Sequence, residues 1–336
     1  MRSLLLWIFP PDGRTTRVVR KLLPVLDFIM TPFTFLASTW LCAVRMAGVK
    51  HFPFAKRIFR SVGVFPIRDH FFEPMVNPTH LWKPLDENRE LPGIELNIQA
   101  QLERLAEFDY NDELKQIPLE RSEQGKFFYN NPAFGSGDAE ILYSFIRSEK
   151  PRRFIEVGSG FSTLLAREAI EKNKAEDSDY DCELICIEPY EAHWLEELGI
   201  QVIRERLEHV PLDIFKRLNS CDMLFIDSSH VIRAQGDVVR EYLEILPSLR
   251  PGVFIHIHDI YTPKDYVHYV LVEEAYIWTE QYLLEALLMG NPSFEIVFSI
   301  YYLAHHHRDA LLAKCPILRQ QIEHRTGASF WIRKVK

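Results

Sequence analysis

From residue 150 onward the chain alternates short runs of β-branched and aromatic residues with helical stretches, and this rhythm limits the fold more than any other feature. The strand candidates are Phe154–Val157, Leu184–Ile187, Gln201–Ile203, Met223–Ile226 and Val253–Ile257. Helical patterns fall between them, notably over Thr163–Lys172 and Val231–Leu246. Such alternation builds βαβ units, which call for a parallel sheet covered by helices on both faces. Two further candidates, Phe294–Ile300 and Ser329–Arg333, are joined by residues 301–328, which include the helical "HRDALLAK". The spacing therefore predicts an α/β fold with a seven-stranded, mostly parallel sheet and a hairpin-like end.

The chain before this region is different. With 336 residues and 47% apolar content, it can bury a full core and more than one structural unit. Residues 1–60 carry ten Lys/Arg against Asp12 and Asp27, whereas the rest carries 29 bases against 45 acids. An acidic body argues against nucleic acid as a partner, and a basic apolar N-terminus points to an anionic membrane surface. Between Asp27 and Arg45 lies "FIMTPFTFLASTWLCAV", an uncharged run at the lower limit for a membrane span. Pro24 and Pro32 are expected to interrupt it. A monotopic or re-entrant helix, a docking helix and a true span are all open at this point, with peripheral contact through residues 22–60. Residues 61–124 read as an irregular and helical linker and cap region, with an amphipathic helix over 93–108. Asp138 is the expected N-cap of a helix Ala139–Ser148. The five scattered cysteines form no Cys-x-x-Cys pair, which favours a reduced, cytoplasmic protein at most touching the inner face of a membrane.

In open parallel sheets, ligands bind beyond the carboxyl ends of the strands. The first strand ends in Glu156-Val-Gly158-Ser159-Gly160, the second in Glu188, the fourth in Asp227-Ser-Ser-His230 and the fifth in His258-Asp259. So many ionisable groups at one rim cost too much desolvation to serve packing alone. Thr163 stands where a dinucleotide fingerprint needs its third glycine, and no lysine completes a P-loop. Glu156 would also repel a phosphate. A carboxylate beside Gly-x-Gly suits a ligand with a cationic amine, and Glu188 could accept both hydroxyls of a ribose.

"FIEVGSGFSTLL", "ICIEP", "FIDSSH", "LRPGVFIHIHDI" and "ASFWIRK" together resemble the class I S-adenosylmethionine-dependent methyltransferases. The resemblance covers residues 125–336 and implies a Rossmann-like sheet with an N-terminal helical or irregular extension. It implies that Gly158, Ser159, Gly160 and Ser162 form the cofactor turn, that Glu156 helps hold the methionine end, and that Glu188 binds the ribose. Asn/Asp-Pro-Pro-Tyr, the mark of amino-group methyltransferases, is missing after strand four. The second half is similar to the group that includes catechol-type and macrolide-sugar O-methyltransferases and cephalosporin-hydroxylase-like proteins. By position, Asp227, His258 and Asp259 would hold a divalent metal such as Mg or Mn. His258 departs from that group's oxygen-only pattern.

A metal that binds a hydroxyl lowers its pKa, and His230, with Asp227 beside it, could then take the proton. The implied acceptor is a hydroxyl of a sugar, glycolipid or secondary metabolite. Blander readings stand beside these. His230 could be structural, Asp227 and Asp259 could be helix caps, and the chain could use His230 without a metal or be a non-catalytic scaffold. His256 reads as a core residue, His70 and His305-His306-His307 as surface groups. Tyr261, Tyr266, Trp278 and Tyr282 form either a lid or aromatic packing.

Overall fold

The computed structural model describes residues 17–123, 125–190 and 192–336. Arg2, Asp12 and Arg14 of the basic N-terminus lie outside these. Two compact units divide at residue 81. Residues 82–124, assigned by sequence to a linker and cap region, belong to the larger unit.

The smaller unit is built on helix α1 (Arg17–Ala47) and the short helix α2 (Pro53–Val62). Helix α1 runs through Pro24 and Pro32 without a break, against the expectation that they interrupt it. Each proline removes one N–H donor, and the bonds on either side carry the helix past it. Near its C-terminal end, Arg45 donates to Glu73 at 2.8 Å and lies over the Phe65 ring, and Arg68 joins the same carboxylate.

The larger unit holds the sheet, in the order β3-β2-β1-β4-β5-β7-β6. Its strands are β1 (Arg153–Val157), β2 (Glu183–Ile187), β3 (Gln201–Ile203), β4 (Met223–Ile226), β5 (Phe254–Ile257), β6 (Phe294–Ser299) and β7 (Phe330–Lys334). The first five pair in parallel, and β7 is antiparallel to both neighbours. The sequence expectation of a seven-stranded, Rossmann-like α/β sheet is met, with strand bounds within about a residue, the usual scatter.

Successive side chains of a strand point to opposite faces, and two cores follow from that. One collects Phe154, Met223, Phe225, Phe254, Phe298 and Trp331 with helices α3 (Ile98–Glu107), α4 (Asp138–Glu149) and α5 (Phe161–Glu176). The other collects Ile155, Val157, Ile185, Leu224, Ile226, Ile255 and Ile257 with Tyr242 and Leu284. The same alternation decides where Glu156 points. It shares a face with Phe154 and is fully buried.

Two local differences shape the site. The helix expected to begin at Val231 begins at Asp237, as α6 (Asp237–Arg240), and continues through a π-helical turn, Glu241–Ile245. His230 and Gln235 adopt positive φ, so residues 228–236 form a loop instead of the first helical turns. Asp138 opens α4 but does not cap it. Its carboxylate accepts hydrogen bonds from the backbone N–H groups of Ala328 and Ser329, just before β7.

Candidate active site

The turn after β1 is held together from within. Gly158 has φ +77°, and a Cβ there would lie 1.8 Å from the Asp227 carbonyl oxygen. That position must be glycine because two strand ends meet. The sequence had assigned the glycine to cofactor room. At Gly160, by contrast, a Cβ would meet nothing within 4 Å. Glu156 accepts from Ser162 Oγ at 2.6 Å and from Thr163 Oγ1, while Thr163 Oγ1 accepts from the Gly160 N–H. Thr163 thus closes the turn at the position where a dinucleotide-binding loop would need glycine. Burial pushes the Glu156 carboxyl up to about 7, although the Ser162 and Thr163 hydroxyls pull it down. Both Glu156 oxygens are therefore used inside the fold, not at the rim.

A cleft of about 470 Å³ opens between the ends of β1, β2 and β4. Gly158, Glu188, Tyr190, Arg206 and Asp227 are among its lining residues. Glu188 accepts from the Tyr190 N–H at 2.8 Å and the Ser159 N–H at 3.3 Å, which fixes its carboxylate at the cleft wall.

At one end of the cleft, β4 and β5 bring three groups together. His230 Nε2 lies 3.2 Å from Asp227 Oδ1 and 3.7 Å from Asp259 Oδ2. One ligand atom from each of Asp227, His230 and Asp259 falls within 4.8 Å of the others. His258 joins from the side, with Nδ1 3.7 Å from Asp227 and 3.5 Å from Asp259, and Nε2 3.6 Å from Asp138. Both His258 ring nitrogens are buried without a hydrogen-bond partner. A buried imidazole left short beside two carboxylates fits a cation, but the side chains whose donor atoms lie close enough for one ion are Asp227, His230 and Asp259, with His258 beside them where the sequence expected it to be a ligand.

His230 is the most constrained member. Its backbone is left-handed at φ +57°, and its carbonyl accepts from the N–H groups of both Thr279 and Glu280. Nδ1 donates to Glu280 Oε2 at 2.8 Å, and Tyr242 donates to the other Glu280 oxygen at 2.9 Å. Trp278 covers the ring at 4.5 Å. Burial works to lower the His230 pKa, but the hydrogen bonds to Asp227 and Glu280 outweigh it and raise it well above the usual value. Asp227 and Asp259 are held below the carboxylate range, because nearby His258 outweighs the cost of burial.

Sequence reading missed Glu280, Tyr242 and Asp138, since an acid or tyrosine on an amphipathic helix gives no local sign of its partner. The surrounding aromatics pack on one another: Tyr266 contacts Trp278, Tyr261 and Tyr282. His256 is a core residue, stacked on Phe225 and bonded to Ser329 Oγ at 2.8 Å. His305 bonds the Tyr301 carbonyl of its own helix, and His70 stacks on Phe71, both far in the chain from the cluster.

Residues 155–260, from within β1 to just past β5, match the model of a methyltransferase domain. The seven-strand order with the single antiparallel β7 agrees with that match. This part of the chain is a methyltransferase domain of the class I S-adenosylmethionine-dependent kind. An uncharacterised protein of Archaeoglobus fulgidus is 31% identical over 174 residues, which cover 47% of this chain and 76% of that protein. Among solved structures, the O-methyltransferase TomG of Streptomyces achromogenes, in complex with S-adenosylmethionine, shows 16% identity and a TM-score of 0.30, over 70% of this methyltransferase and 89% of TomG. A structure described as cmcI-D160 with Mg and S-adenosylmethionine shows 14% identity and a TM-score of 0.35, over 83% and 95% of the two chains.

Proposed function

We propose that this methyltransferase transfers the methyl group to a hydroxyl oxygen of a small-molecule, glycan or glycolipid acceptor, with a divalent cation at Asp227 and Asp259, beside His258, and His230 as general base. The observation that carries this reading is that Asp227 lines the cleft and also stands 3.2 Å from His230. Cofactor site and proton acceptor therefore meet at one carboxylate.

Glu188 would accept the ribose hydroxyls, and the two N–H groups that hold its carboxylate support this role. The Gly158–Gly160 turn, with Ser159, would pass the methionine end, and Glu156 and Ser162 would act by holding the shape of that turn. Bound S-adenosylmethionine would supply the methyl group and keep the electron pair of the broken carbon–sulfur bond, and His230 in its unprotonated form would take the acceptor's proton at Nε2. Glu280 keeps Nδ1 as the donor nitrogen, which leaves Nε2 facing the reacting side. A bound Mg or Mn ion would lower the pKa of the acceptor hydroxyl. The site would work on the cytoplasmic side, at the inner face of a membrane that the chain contacts through residues 22–60.

The test is methyl transfer from S-adenosylmethionine to a panel of sugars, catechols and glycolipids, run after chelation and again with Mg or Mn restored. Transfer that returns with the metal supports the reading. Full activity in the metal-stripped enzyme would instead support His230 acting alone, held in place by Asp227 and Glu280.

A further inference from the structure

From Asp27 onward most polar residues of α1 share one side. Asp27, Thr31, Thr34, Ser38 and Arg45 recur at intervals of four, three, four and seven, which places them along one narrow stripe of the helix, with Thr39 off it. Apart from Thr39 the rest of the circumference from Phe28 to Val44 is apolar, and none of it is buried over the most apolar window of Lys21–Ala47. Phe28 is 81% exposed, Phe35 70% and Leu36 66%. The hydroxyls of Thr31 and Thr39 are satisfied on the helix itself, by the carbonyls of Asp27 and Phe35.

The next helix repeats the pattern with charge. In α2, Lys56, Arg57 and Arg60 share one side, away from Phe54, Ile58 and Val62. Phe54 and Ile58 are exposed.

A protein partner is not the natural cover for α1, because a helical seam occupies one stripe, whereas here only one stripe is polar. A span fits less well than an in-plane position. The 27-residue stretch Lys21–Ala47 is long and apolar enough to cross a membrane, but the uncharged run within it, Phe28–Val44, is about 26 Å long at 1.5 Å per residue, short of a core of about 30 Å. Asp27 and Arg45, at its two ends, also lie on the same side of the helix. The cations of α2 supply the charge complement for anionic headgroups.

We infer that α1 and α2 lie in the plane of an anionic leaflet, with the Asp27–Arg45 stripe facing water and the opposite face sunk among the acyl chains. This deepens the proposed contact through residues 22–60 and rests on it.

Two substitutions two residues apart separate the cases. In flotation with phosphatidylcholine vesicles containing phosphatidylglycerol, the full chain should co-float, and less so at high salt. Ser38→Lys, on the stripe, should keep that binding. Leu36→Lys, at the centre of the apolar face, should lower it by at least about tenfold, in line with the cost of a cation in hydrocarbon. Lys56→Glu with Arg57→Glu and Arg60→Glu should lose the preference for phosphatidylglycerol while weak binding to pure phosphatidylcholine remains. Equal loss in Ser38→Lys and Leu36→Lys would place both residues in hydrocarbon and overturn the in-plane position in favour of a span. A wild-type chain that never floats, or that forms a dimer which Leu36→Lys disrupts, would overturn lipid as the occupant. Calorimetry with S-adenosylhomocysteine on each variant reports the body separately. Its failure would strike the methyltransferase chemistry and leave the membrane result standing.

Discussion

The turn after β1 and the rim after β4 and β5 use similar residues to opposite ends. In the turn, Glu156, Ser162, Thr163 and Gly160 spend their donors and acceptors on one another. At the rim, His258 Nδ1 stands 3.7 Å from Asp227 and 3.5 Å from Asp259, and both His258 nitrogens lack a hydrogen-bond partner. Polar groups that pair internally hold a shape, and polar groups held just out of pairing distance are prepared for something that arrives. The glycines make the same distinction. Gly158 is fixed by the Asp227 backbone, and Gly160 faces open space.

The largest expected effect tests that last contrast. Gly158→Ala drives a Cβ into a carbonyl oxygen at positive φ, so the variant should fail to give a cooperative thermal transition, whereas Gly160→Ala should melt within a few degrees of wild type. An ordinary melting curve for Gly158→Ala would place that glycine with the ligand after all.

At the rim, His230→Ala should slow methyl transfer by about 10²–10⁴-fold, the range for a lost general base, with S-adenosylhomocysteine affinity unchanged. Asp259→Asn should lose most turnover in the same way. Loss of cofactor binding in both would mean that the rim, like the turn, is structural.

The buried Glu156 gives the turn a pH dependence. Its folded-state pKa of about 7 lies above the ordinary 4.5, so the folded protein keeps a proton that the unfolded chain releases. That contribution to stability is whole below pH 4.5 and is lost as pH rises to about 7, by about 3 kcal/mol. Glu156→Gln should flatten this part of the stability curve in chemical denaturation. An unchanged slope would show that the carboxyl titrates normally.

Between the two regions, Glu188→Ala should weaken S-adenosylmethionine binding by about 2–3 kcal/mol in calorimetry, through the loss of an ionised acceptor. Smallest of all, Glu280→Gln keeps an oxygen for His230 Nδ1 but removes the charge. A decrease in kcat of about tenfold with KM for the cofactor unchanged is expected, and a rise in KM alone would assign Glu280 to cofactor binding instead.

The fold was legible because its signal is local. Short continuous runs of β-branched and aromatic residues between helical patterns mark each strand, and the parallel rule then sets the sheet. The rim was legible as well, since Asp227, His230, His258 and Asp259 all sit at strand ends, where an open sheet gathers its ligands. What the sequence did not reveal is which way side chains turn once the strands are laid down. Strand alternation sends Glu156 inward among hydroxyls, and the positive φ of His230 and Gln235 delays α6 to Asp237.

By itself, then, the sequence determined the order of strands and helices, the glycine-rich turn, the acidic rim and the basic apolar N-terminus, because each depends on residues within a few positions of one another. Only the tertiary structure decided that Gly158 serves a backbone contact and that Glu280, 50 residues from His230, holds its Nδ1. It also decided that the His258 ring nitrogens have no hydrogen-bond partner and that α1 continues through two prolines with its apolar face uncovered. These depend on distances between segments far apart in the chain, which packing fixes and local propensity does not.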